Sequence, residues 1–270
     1  MAENLIAQCA ELAIRMAAVA AEIARDRFGR ASTTLKADGS DVTDADTAIQ
    51  DMMVERIAAA YPDHAIVGEE AGVFGCSALA TRDAEYCWVI DPLDGTRNFV
   101  RGVPLFATSV ALLLHGRPIM GLVRSLTGAD AYLAIRGAGA TLNGRRLVVD
   151  PGPCDLQSMV AAQSTVRTGG SRMLTALSGT AVLRNLGSTA LHLALVAAGG
   201  FCGAVASECK IWDVAAGCLL VEEAGGVCTD WSGRTFLPFS LEAYEGRDVP
   251  FVAGGPATHP QLLARLPEAG

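Results

Sequence analysis

Metal-binding cysteine pairs are absent from this sequence. Its eight cysteines, Cys9, Cys76, Cys87, Cys154, Cys202, Cys209, Cys218 and Cys228, include no C-x-x-C pair and have no histidine close by. That spacing argues against zinc ligation and against a disulfide framework, and predicts mostly small buried thiols in a reducing compartment. The histidines His64, His115, His192 and His259 are equally isolated, so no Ser-His-Asp or Cys-His nucleophile signature stands out. No uninterrupted apolar run reaches membrane-spanning length. The first residues include Glu3 and Asn4 in place of a basic, then apolar leader, and the expectation is a cytoplasmic protein with no membrane partner. Positive charge is scarce: 21 Lys and Arg against 29 Asp and Glu give a formal charge of −8, which argues against direct nucleic-acid binding and against anionic membranes. Repeats, linkers and low-complexity runs are missing too. With 270 residues, 51% of them hydrophobic, the chain can bury a large core and reads as a single domain over residues 1–270.

What the chain does have is acids placed at the ends of apolar runs. Tyr86 to Ile90 is a short aromatic and β-branched stretch of the kind that forms a buried strand, and Pro92 with Gly95 is expected to stop it. Asp91 then lies at a strand end and Asp94 in the following turn, close enough to share an oxygen-loving cation. Mg²⁺ takes octahedral oxygen ligands, with one or two carboxylates completed by water and substrate phosphate. Gly95 lets backbone N–H groups approach an anion, and the hydroxyl of Thr96 can orient a water. Asp, Pro and Gly are also ordinary turn residues, so this segment alone reads equally well as an Asx-type turn after a strand. Two further segments repeat the pattern: the apolar run from His64 to Gly68 meets Glu69 and Glu70, and Asp213 stands at another boundary after Ile211 and Trp212. Asp213 is also a good N-cap for a helix through Val214, Cys218, Val221 and Glu222, stopped by Gly225-Gly226.

Between these stations the periodicity changes. Leu5, Ile6, Cys9, Leu12, Met16, Val19 and Ile23 recur at helical spacing and predict a helix over 4–28, ended near Gly29. A second helix is expected over 44–60, stopped by Tyr61-Pro62, with a polar loop from Asp38 to Asp41 before it as a mobile lid. Strands are expected over 108–115, 119–124 and 131–136, with Gly116-Arg117-Pro118 and Asn143-Gly144 as turns. After Pro151-Gly152-Pro153 strands and helices alternate: strands near 159–163, 182–186 and 201–206, helices near 171–177 and 189–198, then the Asp213 helix. The first subdomain, about 1–150, thus reads as helices on a mainly antiparallel sheet, and the second, about 151–270, as α/β.

In this order and spacing, Gly68-Glu69-Glu70, the run Asp91-Pro92-Leu93-Asp94-Gly95-Thr96-Arg97-Asn98-Phe99, and Trp212-Asp213-Val214-Ala215-Ala216-Gly217 resemble the GEE, DPxDGTxNF and WDxAxG segments of the inositol monophosphatase family, Mg²⁺-dependent and lithium-sensitive phosphomonoesterases. The stretch from Lys36 to Asp46 is similar to the family's Lys...Val-Thr-x-x-Asp loop. The resemblance implies a layered α-β-α-β-α sandwich of the α/β (α+β) class and two or three Mg²⁺ ions per site. It further implies that Glu69, Asp91 and the carbonyl of Leu93 hold one ion, that Asp91, Asp94 and Asp213 hold a second, and that Glu70 supports them. Thr96, helped by Asp46 and Glu69, matches the group that activates water, and the amides of Gly95 and Thr96 the phosphate cradle. Gly187-Ser188-Thr189 matches a segment that touches the body of the substrate, although Ser188 reads as well as a plain N-cap. Lys36 matches a group near the phosphate, or is solvated surface.

The chain departs from the inositol-specific pattern at two positions. Ala206 stands where a glutamate would precede Asp213 by seven residues, and Lys210 where a histidine is frequent. Lys210 then pairs with a second anionic group or with Glu208. The implied substrate is a small-molecule phosphate monoester, inositol-1-phosphate or a related polyol phosphate, with histidinol phosphate as the rival and a sugar bisphosphate or nucleotide 3′-phosphate after it. The family also implies a homodimer, and some relatives a non-catalytic role as partners of transcription complexes.

Overall fold

The computed structural model describes residues 2–35, 41–70, 73–74, 84–163, 170–239, 241, 244 and 246–267. Lys36, Cys76 and most of the loop expected as a lid lie outside these residues. The chain opens with α1 (Ala2–Arg27), then a ribbon of β1 (Thr33–Leu35) and β2 (Asp41–Thr43), and α2 (Asp44–Ala60). Thr43 caps α2 in a reciprocal box, its hydroxyl accepting from Ala45 N and Asp46 N while Asp46 Oδ2 accepts from Thr43 N at 2.9 Å.

An eight-stranded sheet follows, built from β3 (Ala65–Gly68), β4 (Val73–Phe74), β5 (Tyr86–Asp94), β6 (Ala107–Leu114), β7 (Arg117–Ser125), β8 (Ala131–Ile135), β9 (Gly139–Leu142) and β10 (Arg145–Arg146), with the short α3 (Thr96–Val100) after β5. Its strand order is β10-β9-β8-β7-β6-β5-β3-β4, and the β3–β5 pair is its parallel one. The period of two along β5 sorts its side chains: Trp88 and Ile90 face α1 and α2, where they meet Met16, Ile49, Met53 and Ile57, while Cys87 and Val89 face the other way.

The second sheet contains β11 (Met159–Gln163), β12 (Val182–Arg184), β13 (Gly203–Ala206), β14 (Val227–Thr229) and β15 (Phe251–Gly254), ordered β12-β11-β13-β15-β14. The first three are parallel, as the alternating pattern predicts, and β14 and β15 join antiparallel. Helices α4 (Gly170–Leu177) and α7 (Thr258–Leu263) cover its outer face, where Met173, Leu177 and Leu262 pack on Val160, Val205 and Val252. Between the sheets lie α5 (Thr189–Ala197) and α6 (Ile211–Glu223). Both are apolar on nearly every side, which suits a helix with no solvent face. Val89, Ala111 and Val123 from one sheet and Ala161, Ala204 and Ala253 from the other share a core with Leu193, Ala215 and Leu219. The layers therefore run α-β-α-β-α, the sandwich the resemblance implies. No described helix is long and apolar enough to cross a membrane.

Three local expectations are corrected. The β6–β7 turn is His115-Gly116, with φ of 47° and 75°, a two-residue reversal of the kind whose positive φ values match strand twist. Arg117 and Pro118 are already in β7, and Pro118 sits opposite Leu113 beside a register shift, where a strand tolerates a missing N–H. Pro92 does not end β5 either: pairing to β6 resumes at Asp94↔Ala107 after an irregularity between Asp91 and Asp94. Asp213 is not the N-cap of α6. Lys210 is, and Asp213 lies at the third helical position, where its Oδ2 accepts from Lys210 N at 2.6 Å.

Candidate functional site

The irregularity in β5 makes the site. Leu93 N donates to Asp91 Oδ1 at 2.9 Å and Thr108 Oγ1 to Asp91 O at 3.0 Å, so the Asx-type turn is present and holds the carboxylate in place. Asp94 reaches across to the other half of the molecule, where its Oδ2 accepts from Ser188 Oγ and from Ala190 N, both at 2.6 Å. That oxygen thereby caps α5, at the end where free N–H groups favour negative charge. Each aspartate commits one oxygen to the fold: Asp91 to its turn, Asp94 to α5 and Asp213 to its capping box.

Ligand atoms of Asp91, Asp94 and Asp213 all lie within 4.8 Å of one another. Asp91 is 1% exposed and Asp94 8%, and packing like charges together away from water has a visible cost. Burial holds the Asp91 carboxyl well above the usual carboxylate range, and Glu69, Asp94, Asp213 and Asp46 push it further. Burial raises Asp94 to about 6 despite its bonds to Ser188, Ala190 and Thr189. Asp213 is raised in the same way by burial and by Asp94 and Glu69, with Lys210 pulling it back. Converging buried carboxylates of this kind favour a hard cation with oxygen preference.

Around them is a cavity of about 350 Å³ lined by Glu69, Leu93, Gly95, Thr96, Arg97 and Asn98 from the first half, among others, and by Gln163, Asn185, Gly187 and Asp213 from the second. Thr96 Oγ1 lies 2.9 Å from Asp46 Oδ1 and 3.0 Å from Leu93 O. Asp46 is buried and its carboxyl raised by that burial, with bonds from Thr43 and Thr96 opposing the shift. Gly95 has φ +100°, and a Cβ there would stand 3.0 Å from Leu105 O; only glycine suits both demands. Asn98 fastens the halves together, its Nδ2 donating to Leu105 O and Leu186 O at 2.6 Å each.

The sequence-predicted residues do not all converge. Glu69, Asp91, Leu93, Asp94, Gly95, Thr96, Gly187 and Asp213 line the cavity, with Asp46 one hydrogen bond behind Thr96. Ser188 is the N-cap of α5, and its hydroxyl is committed to Asp94 and to Leu191 N. Thr189 is fully buried and its hydroxyl has no partner among the described residues. Lys210 points elsewhere: Nζ donates to Asp248 Oδ1 at 2.8 Å and to Gly246 O, clipping the chain beyond β14 to the start of α6. Sequence reasoning missed Asn98 as a clasp, although it stands inside the aspartate motif. Gln163 and Asn185 carry no local signal, because only the packing of the second sheet brings them to the cavity.

Comparison with known proteins agrees with this geometry. The model of the inositol monophosphatase family matches residues 5–269. A Nus factor SuhB of Pasteurella multocida is 38% identical over 232 residues, which cover 82% of this chain and 85% of that protein. An inositol-1-monophosphatase of Mesorhizobium japonicum is 35% identical over 207 residues, or 74% and 76% of the two chains. The crystal structure of the extragenic suppressor protein suhB from Bartonella henselae superposes with a TM-score of 0.86 at 27% identity, covering 97% of this chain and all of that one.

Proposed function

The chain belongs to the inositol monophosphatase family, and from that premise we propose that it hydrolyses a small-molecule phosphate monoester with the aid of Mg²⁺. The convergence of Asp91, Asp94 and Asp213 carries this reading. A buried cluster of oxygen donors with raised carboxyl pKa values fits a hard divalent cation and fits no thiol- or imidazole-seeking metal. Glu69, Asp91 and the carbonyl of Leu93 are assigned to one ion, and Asp91, Asp94 and Asp213 to another, with Asp91 common to both. When bound, Mg²⁺ neutralises charge on the phosphoryl group and its leaving oxygen and makes a bound water more acidic.

The chain's own groups supply orientation. Thr96 donates its hydroxyl proton to Asp46 Oδ1, which leaves the oxygen lone pairs to accept a hydrogen bond from the attacking water. Asp46 is held by Thr43 on its other oxygen, so the Thr96 hydroxyl has a fixed direction. The amides of Gly95 and Thr96 donate to phosphate oxygens, and the left-handed backbone of Gly95, with no room for a Cβ beside Leu105 O, sets the direction of the turn that carries them. Water attacks phosphorus in line with the departing alkoxide, and no covalent phosphoenzyme is required. The preferred substrate is inositol-1-phosphate or a related polyol phosphate, with histidinol phosphate as the alternative and a sugar bisphosphate or nucleotide phosphate after it. Phosphate release from these esters, with Mg²⁺, with EDTA and with added Li⁺, tests the reading: release that EDTA leaves untouched contradicts it.

Relatives named Nus factor favour a second reading, in which the chain also serves as a protein partner of a transcription complex, as a homodimer in the cytoplasm. Recovery of RNA polymerase components on the tagged protein, equally with Mg²⁺ and with EDTA, supports that role; their absence under both conditions removes it.

A further inference from the structure

We propose that Gln163 determines specificity at this site, its amide, together with that of Asn185, recognising hydroxyls on an uncharged substrate body; this rests on the phosphomonoesterase reading above. Gln163 is the last residue of β11 and lines the cavity. One terminal atom of its amide, Oε1, is buried and has no hydrogen-bond partner among the described residues. Such an atom is costly to leave unpaired, and rotation of the amide towards an occupant of the cavity offers it one. The neighbour of Gln163 across the parallel ladder is Ala206 on β13, fully buried. A methyl group there adds no charge and no competing hydrogen bond beside the amide. Asn185 lines the same wall, and its Oδ1 accepts from Gly187 N at 2.9 Å, which leaves its NH₂ as the donor for a ligand.

The charges of the cavity point the same way. The acids Glu69, Asp91, Asp94 and Asp213 are assigned to cations. Among the described lining residues the one cationic side chain is Arg97, which is highly exposed and lies 3.7 Å from Asp41. The wall made by Gln163, Asn185 and Gly187 is neutral, so among the described residues a second phosphate or an ammonium group finds no counter-charge there. A hydroxyl both donates and accepts, and so does a primary amide. The body that fits is therefore a polyol.

The test compares kcat/KM with Mg²⁺ for inositol-1-phosphate, histidinol phosphate, fructose-1,6-bisphosphate and p-nitrophenyl phosphate, for the native enzyme, Gln163→Leu and Gln163→Glu. The native enzyme is expected to prefer the polyol ester. Gln163→Leu lowers the inositol-phosphate to p-nitrophenyl-phosphate ratio by about tenfold, the scale of one buried polar group left unpaired. Gln163→Glu moves the preference towards histidinol phosphate, whose body is cationic, a change of sign that a merely structural role does not produce. Should either variant fail to fold, Asn185→Ala is expected to lower the same ratio. An unchanged ratio in these variants, or a native preference for histidinol phosphate or the bisphosphate, overturns the proposal while leaving the phosphatase reading intact. No Mg²⁺-dependent release from any ester, p-nitrophenyl phosphate included, overturns both.

Discussion

Asp94 meets two demands with one side chain. Its Oδ2 completes the N-terminus of α5 through Ser188 and Ala190, and its carboxylate also belongs to the acidic cluster with Asp91 and Asp213. Asp94→Asn separates the two, because an amide oxygen still accepts from α5 while the NH₂ group brings no charge to the cluster. Loss of the phosphatase rate by several powers of ten is expected, since catalysis in such a site is mainly positioning and charge stabilisation; near-normal release by this variant would sink the metal assignment. The same substitution should stabilise the metal-free protein. Native Asp94 titrates at about 6 against an ordinary 3.8, so between those values the native chain holds a proton that the unfolded chain has released. For this group stability is present at low pH and is lost as pH rises through about 6, by on the order of 3 kcal/mol. Denaturant unfolding of the metal-free protein at pH 8 should therefore show Asp94→Asn above the native chain. A bound cation competes with that proton, and the rise in melting temperature on adding Mg²⁺ should be large at pH 8 and shrink as pH falls through about 6. A shift that grows towards acid pH contradicts this assignment of the cluster.

At the level of elements, the site depends on two segments that break regular structure: the irregular end of β5 and the Leu186-Gly187 turn before α5. Asn98 ties them, and Gly187 is shaped to let it. Its φ is +72°, and a Cβ there would come within 2.7 Å of Asn98 Nδ2. Gly187→Ala is expected to cost about 1–3 kcal/mol in a denaturation series, from left-handed backbone strain and from the displaced amide, and to weaken activity more than an exposed loop substitution does. His192 braces the same turn by accepting from Leu186 N at 2.8 Å, and burial lowers it to about 4, so it stays neutral in the folded protein above that value. Much of this scale was legible in the sequence. The 3.6-residue pattern of Cys9, Leu12 and Met16 defines α1 within two residues, and Tyr61 ends α2 where Tyr61-Pro62 predicts. What escaped depends on partners distant in sequence. Nothing near Pro92 shows that β6 will pair again with Asp94, and nothing near Lys210 shows that Asp248 will draw it from the cavity. The two last strands, Val227–Thr229 and Phe251–Gly254, were missed because they join the sheet antiparallel after the strand–helix alternation has ended.

The whole molecule joins its halves through a common interior. Side chains of both sheets meet α5 and α6 in one apolar cluster, and the candidate metal ligands follow the same division, with Asp91 and Asp94 on β5 and Asp213 on α6. The distance between the acids is thus set by how α6 lies on the eight-stranded sheet. Gly121 of β7 sets that approach: a Cβ there would stand 2.8 Å from Ala216 O and 2.9 Å from Ala216 Cα. Gly121→Val should force helix and sheet apart, costing about 1–3 kcal/mol by overpacking, and should weaken Mg²⁺ binding as well, because the displaced helix carries Asp213. Leu177→Ala provides the contrast. Leu177 is fully buried, but in the outer layer between α4 and the second sheet; its loss should cost about 2–5 kcal/mol with little change in Mg²⁺ affinity. Both proteins should still unfold in one cooperative transition, since both sheets pack on the same central layer of α5 and α6. Calorimetry across a Mg²⁺ series reads stability and binding together. If the two variants lose Mg²⁺ affinity in proportion to lost stability alone, the metal ligands are not positioned by the α6 contact; a selective loss in Gly121→Val places the control of the site in the packing of α6 on the sheet.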